Sequence, residues 1–344
     1  MKARRVLVTL AVVVPLFLAG CTGSPQGTSS QTGSGKAGLI ALSNSFIGNS
    51  WRKTMVTDIQ TSADEAKAQG LISDFTVSNA NNDAAEQISQ IQALILKKPS
   101  AILVDAASPT ALNGVITQAC NAGINVITFD GTATAECAYR LAPNWPTMGY
   151  DVAKYIFNAI GGKGNVLYVR GVAGTDIDAQ QYEGWKKAQG EFPNVKIVGE
   201  VYGDWDDATA QTAVGGIIAT LPTVDAVVVN GGGYGVAQAF SAANRPTPII
   251  YIGGRGSELA WWKTQRDQHG YVTQGTSNGP SIGQAAFWVA VNMANGVKFP
   301  KDIEFPLLTI TNENLDKYVA DTPLDSVAQQ LWTNQMVMDQ FALK

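Results

Sequence analysis

Eight short runs of β-branched and apolar residues recur along the chain with helical patterns between them: Gly38–Ser43, Phe75–Ser78, Ala101–Asp105, Asn125–Phe129, Val166–Val169, Lys196–Val201, Ala226–Val229 and Ile249–Ile252. Such alternation implies βαβ units and an α/β fold. The runs Ala-Ile-Leu-Val from Ala101 and Ala-Val-Val-Val from Ala226 are apolar without a break. A half-exposed strand alternates polar with apolar, so unbroken runs point to parallel sheets covered on both faces. Between them, Trp51, Met55, Ile59 and Ala63 recur at steps of four, and Ile88, Ile91 and Ile95 mark another stripe. This is amphipathic-helix spacing, and most of these residues are expected in a core. Two blocks emerge, about 37–141 and 142–275, each expected to be a doubly wound parallel sheet with right-handed crossovers.

Open parallel sheets bind ligands beyond the carboxyl ends of their strands. The residues at those positions here are polar and aromatic: Ser43-Asn44-Ser45-Phe46 after the first run, Asp105 after the third, Asp130 after the fourth, and Asn230-Gly231-Gly232-Gly233 and Gly254-Arg255 in the second block. A site is expected at these strand ends.

The chain opens with Lys2, Arg4 and Arg5, an uncharged apolar run from Val6 to Leu18, and then Leu18-Ala19-Gly20-Cys21. This is a signal peptide's layout, and the apolar run is shorter than the roughly 20 residues of a membrane-spanning helix. Leu-Ala-Gly-Cys resembles the bacterial lipobox, which implies cleavage after residue 20 and lipidation of Cys21. Residues 21–36 hold no large apolar side chain and are expected to form a tether with a reach of roughly 20 Å. Removing residues 1–20 takes away three basic residues and no acid, so the formal net charge moves from −4 to −7. Nucleic acid is not an expected partner. Attachment to a membrane is expected through the lipid alone.

Charged residues are 15% of the chain, below the roughly 25% of ordinary soluble domains, while Gly is abundant and there are eight Trp. A polar but largely uncharged surface or cleft follows. For Cys120 and Cys137 two readings stand, a disulfide tolerated outside the cytoplasm or a pair of buried thiols.

Five local matches, in order, carry a resemblance to a family. They are Ala41-Leu42-Ser43-Asn44-Ser45-Phe46, Asn125 to Asp130, Arg170 to Thr175 followed by Glu183-Gly184-Trp185, Gly203-Asp204-Trp205-Asp206, and Val228-Val229-Asn230. Across nearly the whole body the sequence resembles the type I periplasmic binding proteins of the ribose and galactose group. The resemblance implies two lobes joined by three chain crossings, near Leu141, Ser277 and Phe305. The N-terminal lobe would be residues 37–141 plus 278–305, and the C-terminal lobe 142–277 plus 306–344, closed by the tail from Leu324 to Phe341.

The resemblance also implies site roles. Asp130 would accept hydrogen bonds from sugar hydroxyls, and Asn230 would act from the opposite lobe. An ionised carboxylate accepts short charge-assisted bonds, and an amide offers both donors and acceptors. Phe46 and Trp205 match stacking positions, while Trp51-Arg52 resembles the pair that opens the first helix in galactofuranose-type members. The chain departs from the family where an arginine-rich helix start is replaced by Asp176-Ile177-Asp178-Ala179-Gln180-Gln181, and where an aspartate is replaced in Gly253-Gly254-Arg255. Asp176, Gln181 and Arg255 are therefore candidate ligand residues of altered specificity, and ribose itself is doubtful. Asn44 and Asn278 complete the set, Asn278 with a hinge-turn role beside Gly279-Pro280 as its other reading.

Catalytic chemistry has little support. His269 is the single histidine and precedes Gly270, which suits a turn; no Ser-His-Asp, Cys-His or metal-binding spacing is present. The Gly231-Gly232-Gly233-Tyr234-Gly235 run fits neither dinucleotide nor phosphate-loop spacing, so no cofactor is expected. The expected function is an extracytoplasmic, lipid-anchored, monomeric substrate-binding component of an ABC importer. It would capture a sugar or sugar alcohol by lobe closure and dock on permease subunits. The alternatives are a sensory receptor built on the same closure, a binder of a sugar acid through Arg255, and an exported carbohydrate-active enzyme suggested by the pool of aspartates.

Overall fold

The structure is a computed structural model and describes residues 37–344; Cys21, the signal peptide and the tether lie outside the described residues. The first block runs β1 (Ala37–Asn44), α1 (Ser50–Ala68), β2 (Ile72–Asn79), α2 (Ala84–Leu96), β3 (Ala101–Asp105), α3 (Asn113–Asn121), β4 (Asn125–Phe129) and β5 (Tyr139–Ala142). The second runs α4 (Trp145–Ala159), β6 (Lys163–Arg170), α5 (Asp176–Glu191), β7 (Asn194–Tyr202), α6 (Asp207–Ile217), β8 (Ala226–Val229), α7 (Gly233–Ala242), β9 (Ile249–Ile250), α8 (Gly256–His269) and β10 (Gly275–Ser277). The chain then continues through α9 (Ile282–Ala294), β11 (Asp302–Glu304), β12 (Leu308–Ile310), α10 (Leu315–Asp321) and α11 (Asn334–Phe341).

Two parallel sheets organise these elements. One has the order β11-β5-β4-β3-β1-β2, the other β7-β6-β8-β9, and β10 pairs antiparallel with β12. The expected double winding is visible in which way successive residues point. On the first sheet Ile40, Leu42 and Leu103 face a core shared with α1 and α9, while Ala41, Ile102 and Val104 face a core shared with α2 and α3. On the second, Leu167, Val169, Val227 and Val229 face α6, α7 and α8, whereas Val166, Tyr168, Ala226 and Val228 face α4 and α5. Strands buried on both sides explain the unbroken apolar runs.

The α1 stripe is buried at Met55, Ile59 and Ala63, with Trp51 half-buried at the open end of the helix. Asn49 caps α1 by accepting from the Arg52 backbone N–H at 2.8 Å, which fixes where the helix begins and so where Trp51 and Arg52 stand. Helices α4 and α5 cross closely because Gly184 meets the α4 backbone with no side chain; a Cβ there would strike Pro146 O and Tyr150 N.

Four crossings connect the sheets, where three were expected. They are the segments after β5, between β10 and α9, between β11 and β12, and a fourth beyond Ala328. Ala328 belongs to the core of the second sheet, but Trp332, Val337 and Phe341 join the core of the first. This corrects the expectation that the tail closes the second lobe: Trp332 stacks on Phe341 and packs against Phe305, covering apolar surface that α9 offers on the first lobe. Cys120 and Cys137 are joined as a disulfide that ties α3 to the loop before β5, with Cα atoms 6.3 Å apart.

Candidate functional site

The carboxyl ends of both sheets face a single cavity of about 640 Å³, part of it open to solvent at the mouth. From the first lobe come Trp51 and Arg52 at the start of α1 and Asp130 after β4; from the second come Gln181 on α5, Trp205 after β7, Asn230 after β8 and Arg255 after β9. Asn278 enters from the crossing between β10 and α9. Eight of the eleven residues nominated from sequence thus line one cleft.

Arg52 is the centre of the first-lobe wall. Its guanidinium pairs with the wholly buried Asp105 and lies 3.3 Å from Asp130 Oδ2, while stacking over the Trp51 ring at 5.0 Å. Asn278 donates from Nδ2 to Asp130 Oδ1 at 2.7 Å, and Trp51 Nε1 donates to the Asn278 carbonyl at 2.7 Å. Burial raises the Asp130 carboxyl above its ordinary value, against the pull of Arg52 and Asn278. Burial also lowers the Arg52 guanidinium, Asp130 opposing it.

The second-lobe wall is bonded more loosely. Gln181 Nε2 and Asn230 Nδ2 each lie 3.9 Å from the Met148 sulfur, a weak acceptor. Arg255 donates from Nη2 to the Trp205 carbonyl and reaches across the cleft to Ser50 Oγ at 2.9 Å. Trp205 itself stands at φ 54° after Asp204 at φ 53°, a left-handed pair that costs non-glycine residues about 1 kcal/mol or more each. The turn that follows β8 passes through Gly231 and Gly232 at φ 98° and 91°, which brings backbone, not side chain, to the cavity beside Asn230.

Glu258 lies behind this wall, wholly buried, and accepts from the backbone N–H groups of Gly233 at 2.7 Å, Gly253 at 3.1 Å and Arg255 at 2.9 Å. Burial and the neighbouring Asp207 push its carboxyl up to about 7.

Three nominated residues do not line the cleft. Asn44 is buried and donates from Nδ2 to Asn79 Oδ1 at 2.8 Å and to the Phe46 carbonyl, cross-linking the ends of β1 and β2. The Phe46 ring folds back over Gly48 on its own loop. Asp176 accepts from Gln180 one turn along α5, and its neighbour Ile177 lines the cleft instead. Conversely, Asn49, Trp145, Gly231, Gly253 and Val327 line the cavity without having been nominated. The sequence signal for Trp145 is its position in Pro143-Asn144-Trp145-Pro146, directly after a crossing strand.

No group of His, Cys, Asp and Glu suited to a metal occurs among the described residues.

Comparison with known proteins places this geometry in context. The family model described as a periplasmic binding protein domain matches residues 40–298. A xylitol-binding protein of Mycolicibacterium smegmatis is 25% identical over 256 residues, covering 73% of this chain and 72% of that protein. The ribose import binding protein of Bacillus subtilis is 23% identical over 312 residues, covering 89% and 97%. The crystal structure of an ABC transporter solute-binding protein from Thermobispora bispora superposes with a TM-score of 0.82 at 43% identity, covering 88% and 94%. With two parallel-sheet lobes, a cleft at their carboxyl ends and a family match across most of its length, the chain belongs to the periplasmic binding proteins.

Proposed function

We propose that the protein is the extracytoplasmic solute-binding component of an ABC importer, anchored by a lipid on Cys21, and that it captures a sugar or sugar alcohol by closing its lobes. The observation that carries this reading is the two-sided cleft. Asp130 and Arg52 stand on one wall, Asn230, Gln181 and Arg255 on the other, and the indole rings of Trp51 and Trp205 line the same space. Such a surface suits a molecule with hydroxyls around its rim and C–H faces above and below. Relatives named for xylitol and ribose point to the same chemistry.

In this reading the ligand stabilises the closed arrangement because only there do both walls bond it, and the crossings absorb the rotation. The closed form then docks on the permease. Arg255 supports a second reading. Its guanidinium has no carboxylate within 4.0 Å among the described residues, so a sugar acid would find an unneutralised cation there.

A thermal-shift panel of pentoses, hexoses, polyols and sugar acids, confirmed by calorimetry, tests both readings. A ligand held only by the native state raises its melting temperature. A neutral sugar or polyol is expected to give the largest shift; a sugar acid in that place would favour the second reading, and no shift from any member would refute both.

A further inference from the structure

Two polar atoms of opposite kind at the cleft have neither a hydrogen-bond nor an ion-pair partner, and they stand beside different crossings. Trp145 opens α4 directly after the first crossing; it is 5% exposed, it lines the cavity, and its Nε1–H has no acceptor. Asn278 stands on the second crossing. Its Nδ2 is committed to Asp130, yet its buried Oδ1 has no donor. Trp185 and Trp288 also have unpartnered Nε1 atoms, but neither lines the cleft. A buried donor without an acceptor costs free energy that a bound partner recovers.

We infer that Trp145 is a ligand-contacting residue and determines specificity: its indole N–H donates to an oxygen of the bound sugar or polyol, while Asn278 Oδ1 accepts from a ligand hydroxyl. This rests on the cleft being the ligand site. A hydroxyl group both donates and accepts, so hydroxyls satisfy both orphaned atoms, whereas an ionised carboxylate offers nothing to Asn278 Oδ1. The pair therefore selects a hydroxylated, uncharged end of the ligand at the hinge side of the cavity. Because Trp145 directly follows one crossing and Asn278 lies on another, ligand occupancy is read beside the chain that bends during closure.

Trp145→Phe keeps an aromatic ring and removes the donor. With xylitol, D-ribose, D-allose and myo-inositol as calorimetric probes, the variant is expected to bind whichever of them the wild type holds about tenfold more weakly. The deficit is expected to vanish for the one deoxy analogue that lacks the partner oxygen. Equal affinity of variant and wild type would overturn the inference, and so would an equal deficit for every deoxy analogue, which marks a packing defect. In the wild-type protein the Trp145 indole N–H resonance is expected to move downfield on saturation with the bound probe; an unmoved resonance overturns the inference even if the variant fails to fold. Failure of the wild type to bind any of these neutral probes would instead remove the neutral sugar or polyol reading of the cleft on which the inference stands.

Discussion

Asp130 shows how much can depend on one side chain at a strand end. Its backbone is left-handed at φ 57°, a conformation that Asn and Asp tolerate better than most residues, and this turns the carboxylate from the end of β4 into the cleft. The same carboxylate meets Arg52 and Asn278, so it is already oriented before a ligand arrives. Asp130→Asn retains the shape and the backbone preference while removing the charge. It is expected to weaken ligand binding about tenfold to a hundredfold, the range for a hydrogen bond to a charged group. The melting temperature of the ligand-free protein should change little, because Arg52 keeps Asp105. Titration calorimetry with unchanged affinity would remove Asp130 from the site. This residue was legible in the sequence because a charged group after an apolar parallel strand has a limited choice of places. Phe46 was misplaced for a complementary reason: nothing in a sequence says whether a ring on a loop turns toward the cleft or back onto its own Gly48.

At the level of elements, Glu258 is the fastener of the second-lobe wall. From the first turn of α8 it holds the start of α7 through Gly233 and the loop after β9 through Gly253 and Arg255. Its carboxyl is raised from 4.5 to about 7, so the folded state holds this proton at pH values where the unfolded chain has released it. The sign follows: the contribution to stability is full below 4.5, declines as pH rises toward 7 and is constant above, a total of about 3 kcal/mol for such a shift. Thermal unfolding across that range should show the wild type losing stability relative to Glu258→Gln. Parallel curves would mean that Glu258 ionises in the fold as it does in the open chain. The eight runs read from the sequence all became strands or strand ends, since apolar continuity is a strong signal. By contrast β5, β10, β11 and β12 are three or four residues long and lie at crossings, where pairing is set by tertiary placement and leaves little periodicity to read.

For the whole molecule the tail is the instructive case. The sequence shows Trp332, Val337 and Phe341 as apolar positions in search of a partner, but both lobes offer apolar helices, and only assembly decides between them. Packing on the first lobe won through α9, whose residues from Ile282 to Asn292 are buried all round and need cover on more than one side. Ending the chain at Gln329 is therefore expected to uncover the first-lobe core, lowering the melting temperature by roughly 5 °C or more, from the loss of several kcal/mol of apolar burial. An unchanged melting temperature would show that the tail contributes nothing to that core. The return of the tail also changes how the second lobe is held. It is built from two closed excursions of the chain, each entered and left through bending segments, so neither Ala37 nor Phe341 travels with it. Reporters joined near either of those residues would ride on the same half, blind to the jaw that swings, and a distance sensor for this protein has to be seated in an internal loop of the second lobe.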